Sequence, residues 1–200
     1  FSRRNEETPV ATRLQGVIEE ALRLLRGSLP PSIEIVCAVD PDCPPILADP
    51  TRMHQVLMNL CTNARHAMPE GGRLSIALDY GGVGGDSDAS SGMRAIDGPP
   101  VALRVGDTGC GMDGDTAARV FEPYFTTRSV GQGTGMGLAV VHGIVTAAGG
   151  RVRLDTTLGQ GTTVITEFPA LLDGDGVASG AHAAKSRQDL GGLRILVIDD

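Results

Sequence analysis

The chain has 200 residues, 41% apolar and 20% charged, and a net charge of −7 from 17 basic and 24 acidic side chains; at roughly 100–200 residues per domain this predicts one soluble globular domain with tails. The acidic balance excludes broad nucleic-acid binding, which needs a basic footprint to displace counterions, and no apolar run approaches the ~18 residues of a membrane span. Nothing at the N-terminus reads as a signal peptide, and Cys37, Cys43, Cys61 and Cys110 form no C-x-x-C pair, so neither a zinc site nor a disulfide framework is supported and a reducing cytoplasm is the expected compartment.

Leu14, Val17, Ile18, Ala21 and Leu25 recur at helical spacing before Pro30-Pro31, which predicts a helix from Thr12 to Ser28. Ile33, Ile35, Cys37 and Val39 alternate as a strand, and prolines at 41, 44 and 45 mark a connection. Asp49-Pro50 suits a helix N-cap followed by proline at the first helical position. In that helix Met53, Val56, Leu57, Leu60, Ala64 and Met68 form an apolar stripe, while Asn59, Asn63 and His66 share a second, polar face. Gly71-Gly72 ends it, and Leu74, Ile76, Leu78 and Tyr80 alternate again. Residues 81–100 are rich in Gly, Ser and Asp and predict a long loop.

Val101, Leu103 and Val105 resume the alternation, and Asp107 falls in phase with them just before "TGCGM". A short helix at Thr116–Phe121 precedes the aperiodic "EPYFTTRSVGQGTG", after which an apolar helix runs to Gly149-Gly150, a glycine C-cap. Val152 and Leu154, then Val164 to Phe168, predict a closing hairpin. From Leu171 to Gly192 the composition is that of a linker, and "LRILVIDD" reads as the first strand of another domain, ending in the acidic pair Asp199-Asp200.

Three of these features can carry chemistry, and each has an ordinary structural explanation beside it. The alternate glycines 131, 133, 135 and 137 lead into a helix whose first amides are unpaired; they suit an anion cradle, or equally a hinge or a tightly packed helix start. The single lysine, Lys185, follows Ala184, so no Walker A loop is present, and the glycine pattern does not fit the G-x-G-x-x-G fingerprint. Asp107 with Gly109 and Gly111 offers a carboxylate at the buried end of a strand, costly unless hydrogen-bonded, beside bare backbone on which a flat base with an exocyclic amine could lie; D-x-G-x-G is also common in turns. Asn59 and Asn63 offer neutral oxygens one turn apart, suited to a hard cation that also takes phosphate oxygens, or to a solvated helix face. His54, His66, His142 and His182 show no metal-like grouping.

In order along the chain, "HQVLMNLCTNARHAM", "DTGCGM", "FEPYFTT", "GQGTGMGL" and "GQGTT" resemble the N, G1, F and G2 boxes and the late G-x-G-T of the catalytic ATP-binding domain of two-component sensor histidine kinases, within the gyrase, MutL and kinase ATPase superfamily. The resemblance covers residues 9–170. It implies a two-layer α/β sandwich of the Bergerat type, with helices on one face of a mixed sheet. It implies that Asn63 coordinates Mg²⁺ on the ATP phosphates, with the catalytic Asn59 beside the triphosphate and His66 where many members place a lysine. Asp107 would accept from the adenine amine, Gly109, Gly111 and Met112 would shape the base pocket, and Thr162 would support the aspartate. Gly133, Gly135 and Gly137 would cradle phosphate, with Leu138 packed behind them.

The same resemblance implies an ATP-dependent histidine kinase whose γ-phosphate goes to a histidine on a dimerisation domain and then to a receiver domain in cis or a response regulator. No histidine here stands in the H-[DE]-x-x-x-P setting of that acceptor. Residues 1–8, beginning "FSRRNEE", resemble the end of the dimerisation helix, residues 171–192 a linker, and residues 193–200 the start of a receiver. The expected unit is therefore a monomeric piece of a hybrid kinase, cytoplasmic, without direct membrane or nucleic-acid contact. The rival readings are an ATPase of the gyrase kind, which carries a glutamate where this chain has Asn59, and a nucleotide-sensing or docking module without transfer.

Overall fold

The computed structural model describes residues 9–81, 98–127 and 134–172, and the backbone of 194–197. The expected helix tail at 1–8, nearly all of the 81–100 loop, the linker beyond Leu172, Gly133 and the Asp199-Asp200 pair lie outside the described residues. The elements run β1 (Val10–Thr12), α1 (Leu14–Ser28), β2 (Ile33–Val39), β3 (Ile46–Ala48), α2 (Pro50–Ala67), β4 (Gly72–Tyr80), β5 (Pro100–Asp107), α3 (Gly114–Arg119), α4 (Gly137–Ala147), β6 (Arg151–Thr157), β7 (Gly161–Pro169) and β8 (Arg194–Val197). The main sheet has the order β6-β7-β5-β4-β2-β8, and β2 with β4 is its one parallel pair among the described strands. A parallel neighbour requires a crossover rather than a hairpin, and α2 supplies it.

The alternating apolar residues form one continuous inner face. Val105 lies opposite Ile76 on one side and Val164 on the other, Leu103 opposite Leu78 and Thr166, and Val101 opposite Tyr80 and Phe168. The buried stripes of α1 (Leu14, Val17, Ile18, Ala21, Leu22, Leu25) and α2 (Met53, Val56, Leu57, Leu60, Cys61, Ala64) join these strand residues in one core. Burial of each large side chain is worth about 1.5–3 kcal/mol relative to exposure. The other strand positions carry the ion pairs Arg104–Asp79, between β5 and β4, and Arg151–Glu167, between β6 and β7.

Two short strands escape the periodicity. The helix expected from Thr12 begins at Leu14 because Val10–Thr12 pairs antiparallel with Ile46–Ala48, and the Thr12 hydroxyl donates to the Ala48 carbonyl at 2.8 Å. Asp49 then caps α2, its Oδ1 accepting from the amides of Thr51 at 2.7 Å and Arg52 at 3.3 Å, with Pro50 inside the first turn. The short helix forms at Gly114–Arg119, earlier than its apolar residues suggested, because the Asp113 carboxylate caps the Thr116 amide.

Cys37, Cys43 and Cys61 are buried free thiols. Burial pushes Cys61 up to about 12 and Cys43 up to about 11, so neither is a thiolate at neutral pH. Among the described residues no helix is long and apolar enough to cross a membrane.

Phe168 is fully buried on the inner face of β7, within the hydrophobic core. Phe168→Ala is expected to cost about 3–5 kcal/mol of unfolding free energy, read as a lower urea midpoint with an unchanged slope. A loss below ~1 kcal/mol would mean that the layer repacks around the gap.

Candidate functional site

The inner face of the sheet, the polar side of α2 and the start of α4 enclose a cavity of about 630 Å³. Each wall follows from a local feature of the sequence. On α2, Asn59 and Asn63 are one turn apart and so project from the same side, away from the buried stripe. The Asn59 amide reaches the Gly137 carbonyl at 3.5 Å, and a side chain at Gly137 would meet the Asn63 amide at 3.4 Å. Glycine there lets α4 begin directly against the two asparagines. No side chain caps that helix start, and no acidic residue occupies its first turn. Its first amides therefore remain available to an anion.

Asp107 ends β5 between Leu74 of β4 and Thr162 of β7. Its Oδ1 accepts from the Gly109 amide at 2.8 Å. Burial pushes the carboxyl above its ordinary range, while the backbone amides of Gly109 and Thr162 hold it down. The group is thus a partly desolvated acceptor, fixed from behind by the main chain, on the cavity wall.

The turn after Asp107 is clamped on both sides. The Cys110 amide donates to the Ala67 carbonyl at the end of α2 (3.0 Å), and the Gly159 amide of the β6–β7 hairpin donates to the Cys110 carbonyl (2.7 Å). Gly111 has a φ of 63°, and a Cβ there would collide with the Thr157 carbonyl, so only glycine fits. A side chain at Gly109 would collide with Ala67. Next along the chain, the Met112 amide donates to the Thr156 hydroxyl at 2.9 Å.

The far wall is built from the segment after α3. The Arg119 guanidinium stacks over Phe125 at 4.4 Å, and Phe121 meets His142 of α4 with ring centroids 5.8 Å apart. The Tyr124 amide donates to the Gly135 carbonyl at 3.0 Å, where Gly135 has a φ of 63° and a Cβ would collide with the Tyr124 backbone. Gly135 is therefore fixed by a close backbone crossing, which is the tightly packed helix start that the spacing alone allowed, and it also faces the cavity.

Of the residues expected at the site, Asn59, Asn63, His66, Asp107, Gly111, Met112, Gly135, Gly137, Leu138 and Thr162 all line this one cavity. Gly109 does not; it touches Asp107 from behind and allows the turn to approach α2. Gly133 lies outside the described residues. Cys110, Thr116, Phe125 and Thr134 line the cavity without having been singled out, although Cys110, Phe125 and Thr134 fall inside the quoted motifs. Among the described residues no group of three or more His, Cys, Asp or Glu side chains is placed to hold a metal.

Residues 48–172 match the family of histidine kinase-, DNA gyrase B- and HSP90-like ATPases. The chain belongs to this family. Among curated members, the sensor kinase CckA of Brucella abortus is 35% identical over 207 residues, matching 100% of this chain and 22% of its own length. The sensor histidine kinase ZraS of Escherichia coli is 33% identical over 160 residues, 80% of this chain and 30% of its own. The chain therefore spans less than a third of each of these two relatives. Full-length ShkA in complex with AMPPNP matches with a TM-score of 0.64 at 32% identity, over 81% of this chain and 31% of that one. The catalytic domain of histidine kinase ThkA matches with a TM-score of 0.63 at 27% identity, over 81% of this chain and 95% of that domain. The architecture is thus the Bergerat-type sandwich of histidine kinase catalytic domains, and the cavity lies within the residues that define an ATP-binding family.

The burial of Asp107 has a consequence for pH. A carboxyl whose pKa is raised on folding favours the folded state most below its unfolded value, about 3.9, and that contribution is lost as pH rises through the folded value. Urea denaturation of the wild type and Asp107→Asn from pH 7 to pH 4 is expected to show the wild type gaining stability relative to the variant as pH falls. A difference independent of pH would mean that the carboxyl titrates as an ordinary aspartate.

Proposed function

We propose that this domain binds ATP with Mg²⁺ and presents the γ-phosphate to a histidine on the dimerisation domain of a two-component sensor kinase. The observation that carries the reading is the pairing, within one cavity, of a backbone-held carboxylate at the end of β5 with an uncapped helix start facing two asparagines. The carboxylate suits the exocyclic amine of adenine. The helix start suits a polyphosphate, because its unpaired amides and dipole favour negative charge. ShkA, a relative of the same fold, has been crystallised with the ATP analogue AMPPNP.

The donor set fits a hard cation. Asn63, backed by Asn59, offers a neutral carboxamide oxygen on the side of α2 that meets the phosphate-binding helix start, and phosphate oxygens and water would complete the shell. A bound Mg²⁺ would neutralise charge developing on the phosphates. The protein's own part is positioning: Asp107, Gly111 and Met112 hold the base, and the amides of α4 hold the phosphate chain, with Gly133, Gly135 and Gly137 giving close access and Leu138 packing behind. His66, which lines the cavity at the end of α2, would meet a phosphate oxygen where many members place a lysine.

Transfer, rather than hydrolysis, follows from Asn59. A carboxamide cannot take a proton from water, so no side chain at that position generates hydroxide. A histidine acceptor needs no such base: its neutral ring nitrogen attacks phosphorus, the N–P bond forms as the bond to the β-phosphate oxygen breaks, ADP leaves and the ring loses its N–H proton to solvent. The phosphoryl group then passes to a receiver aspartate, in cis or on a response regulator. On this reading residues 9–170 are the nucleotide-binding unit, 171–192 a linker, and "LRILVIDD" the first strand of a receiver.

Titration calorimetry with ATP, with and without Mg²⁺, tests the pocket. Magnesium-dependent binding is expected in the wild type, weakened roughly ten- to 150-fold in Asp107→Asn by loss of a charged acceptor, and made independent of magnesium in Asn63→Ala. Added histidine-bearing dimerisation domain is expected to become labelled from γ-labelled ATP, while the domain alone turns over slowly. Rapid hydrolysis without an acceptor would favour the gyrase-like reading, and binding without transfer a sensing module.

A further inference from the structure

Behind the base end of the cavity lies a hydroxyl that the sequence motifs do not mark. Thr156, half-buried on β6, sits opposite Thr162 across the β6–β7 ladder. Three contacts converge on its oxygen: the Met112 amide at 2.9 Å, the Gly161 carbonyl at 3.1 Å and the Thr162 hydroxyl at 3.0 Å. A threonine hydroxyl has one proton and two lone pairs. The Met112 N–H must donate to Thr156, and the Gly161 carbonyl can only accept from it, which uses the single proton. The third contact is then a hydrogen bond only if Thr162 is the donor. All three partners are satisfied in this one arrangement, and it leaves the Thr162 oxygen with lone pairs and no proton for the cavity.

We propose that Thr156 is a positioning residue for base selection. By taking the Thr162 proton it turns Thr162 into an acceptor beside the Asp107 carboxylate, and by holding the Met112 amide it fixes the backbone that follows the Gly111 turn. Two acceptors at the base end match the two protons of a 6-amino purine. They repel a 6-oxo purine, whose exocyclic oxygen is itself an acceptor, and leaving such a polar pair unmatched in a desolvated pocket is the stronger source of discrimination. The inference rests on the nucleotide-binding reading given above and adds which residue sets its base preference. The described hydrogen bonds of Thr156 go to Met112, Gly161 and Thr162 and none to the asparagines of α2 or the start of α4, so its effect is confined to the base.

The test compares ATP, inosine triphosphate and inorganic tripolyphosphate, each with Mg²⁺, by calorimetry on the wild type, Thr156→Val and Thr156→Ser. The wild type is expected to prefer ATP to inosine triphosphate. Thr156→Val is expected to bind ATP about five- to tenfold more weakly, to bind inosine triphosphate and tripolyphosphate unchanged, and so to lose most of the preference, which Thr156→Ser restores. Equal losses for all three ligands would make the role merely structural and overturn the proposal, as would full retention of the ATP preference in Thr156→Val. Thr156→Ala, which removes the hydroxyl without adding bulk, gives the same comparison if the valine variant does not fold. A wild type that binds tripolyphosphate but no nucleotide overturns the parent reading, whereas a wild type that prefers ATP with an indifferent Thr156→Val overturns this one alone.

Discussion

The cavity depends on one constraint: a carboxylate at the end of a central strand must be kept ionisable while partly removed from water. Burying such a group unpaired costs several kcal/mol. Asp107 offsets part of that cost through the backbone: the Gly109 amide of the turn that follows donates to it, and the Thr162 amide of the neighbouring strand also favours its ionised form. Backbone donors cannot rotate away, so the acceptor is preorganised without an opposing charge that would cancel it.

That solution dictates the surrounding glycines. For the turn to bring an amide back onto Asp107 it must pass close to the end of α2 on one side and the β6–β7 hairpin on the other. Side chains at Gly109 and Gly111 would collide with Ala67 and Thr157. The amide and carbonyl of Cys110 then join the turn to both neighbours. One residue thereby ties α2, which carries the asparagines, to the hairpin that carries Thr156 and Thr162. The two ends of the cavity are held in register through a turn of three residues, and a shift of the hairpin would disturb the carboxylate directly.

Much of this is legible in the sequence, for a physical reason. Long elements with one buried face, such as α2 and β5, state their period many times over, and Asp107 announces itself by standing in phase with apolar neighbours. The strands β1 and β3 do not, since three residues make too short a pattern and their pairing is set by position in space, 34 or more residues apart. Gly135 illustrates a subtler limit. Its presence was evident, but its cause is a backbone crossing with Tyr124, a contact no local spacing encodes. Thr156 is the clearest omission: in sequence it is one of two threonines on β6, and its partner Met112 is 44 residues away.

The polar side of α2 shows how the fold separates stability from chemistry. Its apolar stripe belongs to the core, so substitutions there are felt by the whole sheet, whereas Asn59 and Asn63 lie outside that core and meet the start of α4 at Gly137. The choice of side chain at Asn59 is therefore set by the cavity rather than by the core. On the proposed reading, a carboxylate at that position would bring a second negative group toward the uncapped helix start and could activate water. A carboxamide would avoid both effects and leave the phosphate chain held but unattacked until an external nucleophile arrives. In a signalling enzyme of the proposed kind this is the property that matters most, because a domain that hydrolysed its own ATP would spend the phosphoryl group before the acceptor histidine could be brought to it.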